Sequence, residues 1–135
     1  MKRYTFISAA ALLLFSGFVM KKQAVPFYDT KWLLKKIYTQ SGTEEVNTKA
    51  FIRFNAVKNS AGGNGSCNSF GGTLLAAKDS ISITNIFSTK MYCDGVQQTE
   101  DSFFGQLEKI NRFKIKDKTL LLYDDSNLLL EFTSE

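Results

Sequence analysis

Histidine is absent from this 135-residue sequence. With it go the usual general base at neutral pH, the partner of Ser-His and Cys-His nucleophile pairs, and the commonest zinc ligand. Cysteine is scarce: Cys67 and Cys93 are the two thiols, and neither sits in a CxxC motif. Two soft ligands without histidine do not make a zinc site. Cys67 as a nucleophile lacks a base and has no adjacent Lys or Arg to lower its pKa. Proline occurs once, at Pro26.

Beyond residue 24 the chain has no excess of either charge. The formal net charge of +4 suggests a polyanionic partner at first sight. Lys2, Arg3, Lys21 and Lys22 account for four of the 17 basic residues, so 13 remain beyond residue 24, against 13 acidic residues that all lie there. A formally neutral domain lacks the footprint of nucleic-acid binding.

Long apolar runs are missing too, except at the start. Met1-Lys2-Arg3 precedes a mostly apolar stretch from Tyr4 to Met20, followed by Lys21-Lys22-Gln23-Ala24. A basic start and an apolar run of this length describe a secretory signal over residues 1–24. Ala24 can end the leader, although Lys22 stands where a small residue is wanted. Phe15-Ser16-Gly17-Phe18 looks like a lipoprotein box with Phe18 in the place of the lipidated Cys, so no lipid anchor is expected. The expected location is the periplasm or cell envelope, without stable membrane insertion once the leader is cleaved. An uncleaved N-terminal anchor and a buried core helix remain the alternatives.

The length is that of one domain, expected over residues 27–135. Five of the nine glycines fall between Ser60 and Gly72, where the chain is expected to enter a turn, place Cys67 and Phe70 inward and leave as a second strand. Strands are expected at 31–39, 50–55, 73–77, 81–86, 112–116, 119–123 and 128–133, from alternating or β-rich runs. Trp32 reads as a core anchor in the first of them. Residues 40–49 read as a polar loop, and 88–93 as extended chain. One helix is expected over 97–111, with Val96, Phe103, Phe104, Leu107 and Ile110 on one side. Asp94 or Thr99 would cap it, Glu100 and Asp101 would face the positive end of its dipole, and Lys109 the negative end. Gly105 inside it suggests that something packs close there. Asp117-Lys118 and Asp124 to Asn127 read as turns of a closing antiparallel meander. The expected class is α+β, mainly an antiparallel β-sheet, curved or barrel-like, with one packed α-helix.

Motif chemistry is sparse. The glycines are not followed by the Lys of a phosphate loop. Asn64-Gly65-Ser66 is a formal glycosylation sequon. Glu44-Glu45 and Asp124-Asp125 sit in polar turns and are too few for calcium. No catalytic residue, metal ligand or cofactor is expected.

Taken in order, Trp32, then Cys67-Asn68 with Phe70 and Gly72, then Thr89-Lys90-Met91-Tyr92-Cys93, the helix with Phe104 and Leu107, and the hairpin with Leu120 resemble the META domain family, also called HslJ-like. The resemblance spans about Asp29 to Glu135. Ser66 departs from it, standing where the family usually has Gly before Cys-Asn, as does Thr73-Leu74, where an aromatic is common. The resemblance implies a compact antiparallel β-structure with a packed helix, in exported bacterial proteins linked to envelope function and stress response, and offers no agreed catalytic residues. Both cysteines lie in its two most typical motifs, which implies a structural Cys67–Cys93 disulfide in an oxidising compartment. Two free buried thiols are the alternative. The functional expectation is a non-catalytic module, monomeric, that binds a protein or small ligand. The competing one is a thiol-dependent redox protein or enzyme using Cys67 and Cys93. The neutral domain should not retard DNA or RNA in a gel shift at physiological salt; salt-sensitive retardation would contradict the charge argument.

Overall fold

The computed structural model describes residues 17–135. Most of the expected leader, residues 1–16, lies outside the described residues. Among the described residues, no helix is long and apolar enough to cross a membrane.

Nine strands and one helix follow in the order β1 (Trp32–Thr39), β2 (Gly42–Glu45), β3 (Phe51–Asn55), β4 (Ser60–Asn64), β5 (Ser69–Ala77), β6 (Ser80–Ser88), α1 (Gln97–Leu107), β7 (Arg112–Lys116), β8 (Thr119–Asp124) and β9 (Asn127–Ser134). Every pairing is antiparallel, and β1 pairs with β9 to close the sheet into a ring. The architecture is the expected one, closed rather than merely curved. Closure removes the free edges an open sheet would expose. β2 stands outside the ring, on the edge of β1 that β3 uses further up. The narrowest seam joins β6 to β7, where Ser80 pairs with Arg112. There the Arg112 guanidinium lies 3.0 Å from Asp79.

Alternation along each strand sends one face inward. Trp32, Leu34, Ile37, Ile52, Phe54, Leu74, Ile81, Leu120, Leu122, Leu130 and Phe132 fill the interior. Each end carries a stopper. α1 lies across the end that holds the β4–β5 turn, where Phe103 meets Phe70 and Phe132 edge-on at 5.6 and 5.9 Å. At the other end Phe27 stacks on Phe54 and Phe113, at 4.2 and 4.5 Å between centroids. Its carbonyl accepts from the Trp32 indole, and Val25 N donates to Asp117 O.

Several expectations need correction. The segment 40–49 is not all loop: β2 forms within it. Its residues are nearly all exposed, so no apolar alternation marked it. Glu44 and Glu45 therefore stand on a strand, and Glu45 faces Lys36. The helix ends at Leu107, not Asn111, because Asn111 N is drawn into the ladder by Tyr123 O. Neither Asp94 nor Thr99 caps it; the N-cap is Val96 without a side-chain bond, and the Thr99 hydroxyl goes to Glu44 instead. No basic residue lies in the last helical turn, since Lys109 is beyond it. The final turn is Asp125-Ser126 alone, because Asp124 and Asn127 pair. Of the extended segment expected at 88–93, Ser88 ends β6 and 89–93 carry no regular secondary structure.

The glycines divide unexpectedly. Only Gly65 of the clustered five lies in the turn; Gly62, Gly63, Gly71 and Gly72 lie inside β4 and β5. They serve close approach. A Cβ on Gly63 would overlap the Phe51 carbonyl, and one on Gly72 would lie 2.8 Å from Ile83 Cγ2. Gly105 is the opposite case: a Cβ there meets nothing within 4 Å, so no neighbour explains it. Two substitutions separate the cases. Gly63→Ala should destabilise by about 3 kcal/mol or more, because backbone cannot move aside. Gly105→Ala should stabilise by about 1 kcal/mol through helix propensity. Denaturant midpoints of equal shift in the two variants would contradict this reading.

Candidate functional site

The turn between β4 and β5 is built for one carboxylate. Glu100 sits in the first turn of α1 and is 1% exposed. Its Oε2 accepts from the backbone N–H of Cys67 at 2.9 Å and of Asn68 at 2.6 Å, and its Oε1 accepts from Asn68 Nδ2 at 2.6 Å. A buried charge is tolerated when charge-assisted hydrogen bonds replace its hydration. Gly65 lets the helix come this near: a Cβ there would lie 2.5 Å from the Phe104 ring and 2.8 Å from Glu100 Cγ.

Asn68, 3% exposed, carries the contact onward. Its Nδ2 also donates to Met91 O at 2.9 Å, while its Oδ1 accepts from Thr89 Oγ1 and Met91 N, both at 2.8 Å. Both amide protons and both carbonyl lone pairs are used, so the side chain has no alternative orientation. It is Asn68, not Cys67, that turns fully inward; Cys67 is half-buried. Cys67 and Cys93 are joined, with Cα atoms 5.7 Å apart, which fastens the same turn to the end of the same loop.

The turn itself is bent by Ser66, whose φ of 122° suits glycine far better. Asn64 Oδ1 accepts from Ser66 N, and the Ser66 hydroxyl meets that of Thr48 at 2.8 Å. The departure at Ser66 is thus a strained residue held by neighbours. Asn64, the sequon residue, is engaged in this bend.

What this clamp presents is the loop from Ser88 to Tyr92. Met91 is 60% and Tyr92 76% exposed, although Met91 is fixed through its backbone. Phe87, 70% exposed, lies over Gly71, where a Cβ would be 2.7 Å from its ring. A cleft of about 380 Å³ separates this loop from the start of α1. Phe70 supports the site from the core, and Gly72 lies in the wall beside it. Trp32 lies at the far end of the barrel and takes no part. Of the residues singled out from sequence, the structure therefore brings together Cys67, Asn68, Phe70, Thr89, Met91 and Cys93.

Glu100 was missed. The signal was present: with Phe103, Phe104 and Leu107 it completes an i, i+3, i+4, i+7 stripe, so a carboxylate stood on the buried face. Gln106, also buried, was missed in the same way; its Nε2 donates to Tyr38 O. Gln106 and Tyr38 border a larger cleft of about 830 Å³ between the β1–β2 turn and the β8–β9 turn. Tyr38 there donates to Glu131 at 2.9 Å, and burial first, then this bond and the nearby charge, push its pKa up to about 12.

No group of three or more His, Cys, Asp or Glu residues among those described is placed to hold a metal.

Two variants distinguish the fastenings. Asn68→Ala should cost about 3–5 kcal/mol and expose the Met91 amide to hydrogen exchange, because the Glu100 carboxylate is left short of donors. Cys67→Ala should cost about 3–4 kcal/mol through the denatured chain, yet leave that amide protected. Loss of protection in both variants would show the disulfide, not Asn68, to position the loop.

Comparison with known proteins bears on the fold and the family. An NMR structure of a protein from Burkholderia xenovorans aligns over 100% of this chain and 99% of its own, at 19% identity and a TM-score of 0.67. A second NMR structure aligns over 77% of this chain and 87% of its own, at 16% identity and a TM-score of 0.58. At such identities the likeness is one of fold. No curated protein matches the sequence. The META domain model matches residues 25–135, which include the clamp, the loop and both barrel stoppers, and the chain belongs to the META domain family.

Proposed function

We propose that the protein is a non-catalytic, exported binding module that grips a partner protein through Phe87 to Tyr92, the end of β6 and the loop that follows it. The observation that carries this reading is the pairing of exposure with fixity. Three large apolar side chains point to solvent from a segment whose backbone is held by Asn68 and whose end is held by a disulfide. Solvent-exposed apolar groups that cluster on a fixed scaffold mark interaction sites. Fixing them beforehand lowers the ordering cost of binding.

The non-catalytic part of the proposal draws support from the chemistry of the clamp. The carboxylate of Glu100 is consumed by backbone and amide donors, both thiols are oxidised, and no histidine exists to move a proton. Export is supported by the basic-apolar leader and is compatible with the disulfide. The module acts as a monomer in this reading, its closed barrel leaving β2 as a short, charged outer strand.

The test is capture from envelope extract by the natively processed protein, compared with a Phe87→Ala, Met91→Ala, Tyr92→Ala triple variant. These side chains are exposed, so the fold should be retained. The triple variant should lose the captured partner while keeping its melting temperature. Undiminished capture would overturn the assignment of the surface.

A further inference from the structure

Gln97 opens α1, and its Nε2 donates to Asp101 Oδ1 at 3.0 Å. A carboxylate only accepts hydrogen bonds, so this contact fixes the amide with its nitrogen toward Asp101 and its oxygen away. Gln97 Oε1 is thereby buried with no donor among the described residues. Buried polar atoms in folded proteins are nearly always satisfied, so this exception has to be explained.

Gln97 and Asp101 line the cleft of about 380 Å³ that faces the loop Ser88 to Tyr92. Its size is in the range of small-ligand sites. Two carboxylates, Glu100 and Asp101, border it against one ammonium, that of Lys90. Glu100 is consumed by the clamp. Asp101 is exposed and has only Oδ1 engaged. The ring of Phe104 borders the cleft, and that of Tyr92 stands exposed at it.

We infer that this cleft receives an arginine side chain of the partner protein. The inference rests on the binding surface proposed above and names what the partner contributes to it. A guanidinium offers donors in a planar fork that matches a carboxylate bidentately. On Asp101 it takes the place of the Gln97 amide. The released amide turns, and its oxygen meets a donor of the guanidinium instead of staying buried without one. Tyr92 and Phe104 supply aromatic faces for the same planar cation. Lys90 opposes a cation, but it is exposed, where water and salt screen its charge. An anionic ligand would meet Asp101 and Glu100 in the cleft with only Lys90 in its favour.

The test is an NMR titration of the natively processed protein with the tripeptide Gly-Arg-Gly blocked at both ends. Saturable shifts are expected at the Gln97 side-chain amide and at Tyr92. The citrulline analogue, of the same shape without charge, should bind about tenfold more weakly or worse, and so should the arginine peptide to Asp101→Asn. Asp101→Asn should keep the wild-type melting temperature, since the side chain is exposed. Absence of shifts at Gln97, equal binding of citrulline or lysine peptides, or full binding by Asp101→Asn would each overturn the inference. Those outcomes leave the loop surface standing if the triple variant still loses its partner; undiminished capture by the triple variant removes the surface itself.

Discussion

A single buried carboxylate organises this molecule. No cation lies within salt-bridging distance of Glu100 among the described residues, so its charge must be met by N–H groups alone. Those donors come from a turn more than thirty residues away in sequence. The turn has to bend sharply, which strains Ser66, and the helix has to come close, which requires Gly65 to lack a side chain. Asn68 then spends its remaining amide groups on Thr89 and Met91. One electrostatic requirement thus ties turn, helix and loop together, in a low-dielectric setting where a missing partner is costly.

The barrel makes that arrangement rigid. Four glycines in β4 and β5 let neighbouring backbone and side chains approach where any Cβ would intrude. With that wall drawn tight, α1 seals one end through Phe103, and Phe27 seals the other. The clamp is consequently mounted on closed, stoppered sheet rather than on a mobile edge. Beyond Ser88 the loop it holds has no regular secondary structure, yet its position is set at Met91 by two hydrogen bonds and at Cys93 by a covalent bond. Fixed irregular segments of this kind are where scaffolds carry binding side chains.

Size of a concavity is a poor guide here. In the larger cleft, the two buried or half-buried polar side chains are already engaged, Tyr38 with Glu131 and Gln106 with the Tyr38 carbonyl. The smaller one has an acceptor without a donor and a rim of exposed aromatic and thioether groups. Unspent hydrogen-bonding capacity and exposed apolar area are what a partner can use.

The alternating strands, the closing meander, the helix over Gln97–Leu107, the core position of Trp32 and the family were legible in the residues alone, because period-2 and period-3.6 patterns and motif order are local properties of the chain. The sequence did not show β2, whose exposed residues leave no pattern, nor that Gly62, Gly63, Gly71 and Gly72 serve strands rather than a turn. Above all, it did not show that Glu100 faces inward as the acceptor for Cys67 and Asn68, although its place on the apolar stripe hinted at it. Propensity rules place a carboxylate at a helix start for the dipole. Only the folded barrel brings a turn with three free donors against that helix, and the burial of a charge is decided by such non-local partners.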